Sequence, residues 1–161
     1  CSSVVRNPSA NTRPWSRPPP HRVPSNNYME PQMNTDKHRE EFLYKELTGE
    51  IIESAFNVHN TLGCGLLEKV YENSIAWEME LRGRKVSTQK EFKVVYRDKE
   101  VGIYYADLVV EDKVIVEVKS AQEIDDVHRA QLLNYLRISG LRVGLIINFA
   151  RPKLEYERLV F

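Results

Sequence analysis

Glu117 and Lys119 stand two residues apart in the run Val114-Ile115-Val116-Glu117-Val118-Lys119. Its β-branched composition reads as a strand, and a strand points residues i and i+2 to the same face. Asp107 interrupts a second apolar run, Tyr104 to Val110, where a carboxylate costs stability unless it is paired or holds a cation. If Glu111-Asp112-Lys113 is the hairpin loop between these runs, Val110 faces Val114 and Asp107 falls opposite Glu117. Two ionised carboxylates so placed repel each other, and a hard divalent cation such as Mg²⁺ relieves the repulsion by taking oxygen ligands from both. Lys119, beside the ion, can orient an attacking water or offset charge that builds on a phosphodiester. A loop of even length would send the two acids to opposite faces and remove the site. The Val114–Lys119 strand alone proves little, because Val114, Val116 and Val118 on one face and Ile115, Glu117 and Lys119 on the other also suit a sheet with one solvated side.

The elements that must position these residues follow from periodicity and punctuation. Ile51, Ile52, Ala55, Val58, His59 and Leu62 recur at helical spacing before Gly63 and Gly65, which predicts a first helix from about Leu47. A second is predicted over Leu67–Arg82, with Leu66, Val70, Ser74, Trp77 and Leu81 as its apolar stripe and Gly83 as its stop. Strands are expected at Val86–Tyr96, Gly102–Val110 and Lys113–Ser120, joined by turns at Arg97-Asp98-Lys99-Glu100 and Glu111-Asp112, most simply as an antiparallel meander. A third helix, Asp125–Ser139, begins with acids and ends at Gly140. Strands at Arg142–Phe149 and Leu154–Val160 complete an α/β domain.

Asp107, nine residues and then Glu117-Val118-Lys119 resemble the D…(D/E)XK signature of the PD-(D/E)XK nuclease superfamily, with Ala106 where the name has Pro. Gly65-Leu66-Leu67-Glu68-Lys69-Val70-Tyr71 reads G-x-x-E-x-x-Y, and the chain is similar to the GxxExxY family within that superfamily. Gln131-Leu132-Leu133-Asn134-Tyr135-Leu136 and the stretch from Gly140 to Phe149 resemble that family's distal half, so the likeness runs from about Leu47 to Phe161. The resemblance implies a restriction-endonuclease-like αβββαβ core, with a mixed central sheet flanked by helices. It implies metal ligation by Asp107, Glu117 and Glu68, catalytic assistance by Lys119 and Glu68, and a Q-x-x-x-Y pair, Gln131 and Tyr135, that holds waters or phosphate. The expected activity is Mg²⁺- or Mn²⁺-dependent hydrolysis of phosphodiester bonds, of DNA in the first instance. The alternative is a nuclease fold that serves as a nucleic-acid or protein binding module with little or no catalysis. A homodimer or a partner protein is a further expectation that the residues leave open.

Other candidates read more plainly. His128 is expected at the surface and His59 as a packed core histidine; Cys64, between two glycines, has no base near it in sequence. Tyr104, Tyr105 and Trp77 could stack on bases, but their spacing suits core positions better. Lysines and arginines number 23, as do aspartates and glutamates. Four arginines (Arg6, Arg13, Arg17, Arg22) and no acids lie before Met29, which leaves 19 basic against 23 acidic residues beyond it. That balance is not the profile of a general polyanion binder, so any nucleic-acid contact must come from a local patch, from metal ions in the site or from the basic tail. Seven of the eight prolines fall in the first 38 residues, amid Ser, Asn and Arg, so residues 1–40 are expected to be a disordered tail and 47–161 the nuclease-like domain. The chain opens on Cys1, and Met29 and Met33 are expected alternative starts. Two distant cysteines, no secretory core and no long apolar run lead to the expectation of a cytoplasmic protein without a membrane segment.

Overall fold

Helix caps and tight turns cut the described residues into eight elements. The structure, a computed structural model, describes residues 43–161; the Pro-rich segment expected to be disordered lies outside the described residues. Helices α1 (Lys45–Leu62) and α2 (Glu68–Leu81) precede strands β1 (Val86–Tyr96), β2 (Lys99–Val110) and β3 (Val114–Lys119). Helix α3 (Asp126–Ser139) then leads to β4 (Val143–Asn148) and β5 (Glu155–Val160). The strands form one sheet in the order β1-β2-β3-β4-β5. All neighbours are antiparallel except β3 and β4, and a parallel pair needs a crossover, which α3 supplies. The mixed sheet flanked by helices is the expected α/β architecture.

Local chemistry explains the boundaries. Gly63 and Gly140 follow α1 and α3 in the left-handed half of backbone space (φ 75° and 73°), where glycine carries no Cβ penalty. The Asp125 side chain accepts the His128 N–H, while His128 Nδ1 accepts the Asp125 N–H, a reciprocal cap on α3. His128 is thus spent on the helix start. The β1–β2 turn is tighter than expected: Arg97 and Asp98 alone take positive φ and Tyr96 pairs with Lys99, so β2 starts three residues earlier than Gly102.

Both faces of the sheet's centre, around β3 and β4, are sealed. On one, Val114, Val116, Val118, Leu145, Ile147 and Phe149 pack against Ile51, Ala55, Val58, Tyr71, Ile75 and Met79 of α1 and α2. On the other, Val109, Ile115 and Ile146 meet Leu132, Tyr135 and Leu136 of α3. A solvated outer face for β3 is therefore excluded. The stripe expected for α2 is also corrected: Leu81 and Trp77 are more than 60 % exposed, and the helix buries Tyr71, Glu72, Ile75, Ala76 and Met79 instead. Tyr104 and Tyr105, expected in the core, lie nearly half exposed on β2. No helix among the described residues is long and apolar enough to cross a membrane.

Close approach of α3 to the sheet depends on Gly144. A Cβ there would lie 2.6 Å from Leu132 Cδ1 and 2.9 Å from its Cγ, and Leu132 is fully buried. Gly144→Ala is expected to lower the unfolding free energy by about 1–3 kcal/mol through overpacking, read as a fall in the urea midpoint at constant m-value. An unchanged midpoint would show that α3 is not seated so closely.

Candidate active site

The hairpin joining β2 to β3 has the odd length on which the site depends. Val110 pairs with Val114, Val109 with Ile115 and Leu108 with Val116, a register that carries Asp107 to the place opposite Glu117. Glu111 and Asp112 take positive φ at the turn. Lys85 anchors this tip: its backbone N–H donates to Glu111 Oε1 at 2.9 Å, and its Nζ lies 2.7 Å from Asp112 Oδ2, while Lys90 Nζ lies 2.6 Å from Oδ1. The two lysines hold the Asp112 carboxyl at about 2, well below the usual range.

Pairing stops at Leu108 and Val116, and the strands part where the acids stand. The Val118 N–H donates to Asp107 Oδ2 at 2.9 Å, so the side chain satisfies an amide at the end of the ladder. In return the Asp107 N–H points at Glu117 Oε1, 3.4 Å away. Glu117 is only 2 % exposed, with Lys119 Nζ 3.4 Å from its Oε2. Burial first, and the charge of Asp107 second, push the Glu117 carboxyl up to about 8, against the pull of Lys119. Without a bound cation, burial and the neighbouring Asp107 charge thus favour the protonated carboxyl.

Glu68 opens α2, and its Oε1 accepts the Ser120 N–H at 2.7 Å, one residue beyond Lys119. Tyr71 does not share that role. Fully buried, it stacks on Phe149 at 4.2 Å and bolts down the glycine loop, donating to the Gly63 carbonyl and accepting from the Leu66 N–H. From α3, Gln131 Nε2 donates to the Tyr135 hydroxyl at 3.2 Å, and that hydroxyl donates to the Tyr105 carbonyl at 3.2 Å. Burial raises the Tyr135 hydroxyl above its ordinary range, and the charges of Glu117 and Asp107 add to the effect. The Tyr135 ring meets the Tyr104 ring edge-on, with centroids 5.5 Å apart. His59, buried, lies with Nε2 2.8 Å from the Arg151 carbonyl.

Three supporting residues escape a reading of the sequence. Buried Glu72 ion-pairs with Lys69 (2.6 Å) and receives Gln89 Nε2 (3.0 Å); the same Nε2 lies 3.2 Å from Asp107 Oδ1. Glu72 was findable, since it is spaced three, four and seven residues from Ile75, Ala76 and Met79 on the buried stripe. Gln89 was not, because a register shift between Val94 and Val95 decides which β1 residue comes opposite Asp107. Asn148, paired with Lys119, is wholly buried and clamps the loop after β3, accepting the Ala121 N–H and donating to the Ala121 carbonyl.

Among the described residues no three His, Cys, Asp or Glu come together as a ready-made set of ion ligands, so Glu68 is not gathered into one cluster with Asp107 and Glu117. The donor set suits a small hard cation that keeps several waters and needs only one or two carboxylates, as Mg²⁺ does, better than an all-protein cage.

A family model described as the PD-(D/E)XK nuclease superfamily matches residues 45–159, and the mixed sheet and its helices accord with a restriction-endonuclease-like fold. No curated protein matches the chain. Among solved structures, the chain is similar to one titled "Crystal structure of SSO0001", at 14% identity and a TM-score of 0.44, over 73% of this chain and 59% of that one. It thus spans less than two thirds of that structure's length.

The Glu117 shift sets a direction for stability. Its folded-state value, about 8 against an ordinary 4.5, means that its contribution is full below pH 4.5 and is lost as pH rises through 8. With EDTA present, unfolding free energy is expected to fall across that window with a slope of at most about 1.4 kcal/mol per pH unit from this group. Glu117→Gln should remove that component. Parallel pH profiles for the two proteins would show that Glu117 ionises normally.

Proposed function

Because the chain belongs to the PD-(D/E)XK nuclease superfamily, whose members generally hydrolyse phosphodiesters with divalent metals, we propose that it is a metal-dependent nuclease acting on DNA, of the GxxExxY type. The observation that carries this reading is the buried Glu117 carboxyl, set opposite Asp107 where β2 and β3 part, with Lys119 beside it. In this reading Asp107 and Glu117 hold Mg²⁺ or Mn²⁺, which supplies Lewis-acid polarisation of the phosphate and a more acidic water. Burial and mutual repulsion make the carboxyl pair costly on its own, and that cost is what a cation would relieve.

Lys119 orients the attacking water and offsets charge on the phosphoryl oxygens as the transition state forms. Glu68 fixes the Ser120 amide and with it the end of β3 that carries Lys119, while its second oxygen would serve the waters around the ion. Gln131 and Tyr135, already linked, would steady a phosphate oxygen or a water from the α3 side. A second reading, a binding module without catalysis, is favoured by one observation: among the described residues no three His, Cys, Asp or Glu side chains come together as ion ligands.

A direct assay separates the two. Purified protein is expected to cleave DNA from a panel of single- and double-stranded DNA and RNA in Mg²⁺ or Mn²⁺, and to stop in EDTA. Asp107→Ala and Glu117→Ala should abolish cleavage, and Lys119→Ala should slow it by about 10²-fold or more. Cleavage that survives both Asp107→Ala and Lys119→Ala would overturn the assignment, and binding without cleavage would favour the second reading.

A further inference from the structure

Six non-glycine residues among those described have positive φ, and five lie at hairpin tips or before α1: Tyr44, Arg97, Asp98, Glu111 and Asp112. The sixth, Gln89 (φ 48°), sits inside β1. It falls between the pairs Thr88–Leu108 and Lys90–Ala106, so it stands opposite Asp107. The ribbon exchanges faces there. Val86 and Leu108 pack on the α1–α2 side, whereas Phe92 and Ala106, an even number of residues away, pack on the α3 side. A glycine would adopt this backbone without a steric penalty, so a long amide side chain held there points to a use for the amide.

That use is visible in its contacts. Gln89 Nε2 lies 3.0 Å from Glu72 Oε2 and 3.2 Å from Asp107 Oδ1. An ionised carboxylate only accepts, so the amide's two N–H groups are the complement that two neighbouring acids require. Glu72 is itself fixed by burial and by Lys69. A chain from Lys69 through Glu72 and Gln89 therefore ends on one oxygen of Asp107, while Val118 N–H holds the other. Each oxygen keeps a lone pair to offer an ion.

We propose that Gln89 is a positioning residue of the site: from a left-handed backbone position in mid-strand, its amide ties Asp107 to the buried Glu72 and fixes the orientation in which Asp107 meets the cation. This rests on the reading of Asp107 and Glu117 as ligands. Partners that orient ligands from behind commonly change metal affinity about 10- to 100-fold, and the exposed Gln89 side chain adds little packing.

Gln89→Gly separates the two roles, because it relaxes the backbone while it removes the amide. The probe is Mn²⁺ alone, titrated into the full chain and followed by electron paramagnetic resonance, with thermal unfolding measured in EDTA. Gln89→Gly should keep or raise the melting temperature yet weaken Mn²⁺ binding about 10-fold. Gln89→Asn, which tolerates the backbone but is one methylene short, should weaken it likewise. Unchanged Mn²⁺ affinity in both variants overturns the proposal, as does a melting temperature that falls together with affinity. Asp107→Ala serves as the control. If it binds Mn²⁺ as the wild type does, or if the wild type binds none, the ligand reading itself fails and takes the proposal with it.

Discussion

The bond from the Val118 N–H to the Asp107 carboxylate is the point on which the site turns. A backbone donor that leaves a ladder inside a protein must find another acceptor or cost about 1–3 kcal/mol. Here the acceptor is the side chain that chemistry would want oriented. The strands can therefore part beyond Leu108 and Val116 without leaving that amide unsatisfied, which opens a space between them. Glu117 faces that space from the neighbouring strand, and the covered sheet around it keeps it out of bulk water.

Everything else about the fold limits the motion of that corner. Helix α2 supplies Glu68 to the end of β3 and Glu72 to the acid network, and Tyr71, stacked on Phe149, locks the loop from which α2 starts. Asn148 holds the chain immediately after Lys119. Helix α3 closes the opposite face and sets Tyr135 against the β2 backbone. These contacts are short-range and mostly polar, so they fix direction more than they add stability. The apolar layers on either side of the sheet supply the latter.

How much of this was legible depended on how local each signal is. The three acids and the lysine could be named because motif spacing and strand alternation are local, and the hairpin register followed from three loop residues. The β3–β4 pairing is parallel because α3 intervenes, a consequence of element order. The α2 stripe was misread because Leu66, Val70, Trp77 and Leu81 make a regular apolar pattern that the fold leaves at the surface, while a buried glutamate marks the true inner face. Tyr104 and Tyr105 were misplaced for a related reason: β2 outruns its pairing with β3, and nothing local to those residues reports where a neighbour ends. Gln89 lay beyond reach because a register shift five residues away determines its partner.

The length of the β1–β2 ribbon has one more consequence. Among the described residues, β2 pairs with β3 only from Leu108 to Val110, so from Lys99 to Ala106 its second edge has no strand beside it. An open edge carrying Val101, Ile103 and Tyr105 is a template for self-association. The exchange of faces at Gln89 and Asp107 breaks the regular alternation that such a template needs, and the charge of Glu100, paired with Lys93 across the ribbon, lies on this strand. The same distortion that brings Gln89 to Asp107 thus also interrupts the regular edge, and a sequence that straightened the ribbon would lose both.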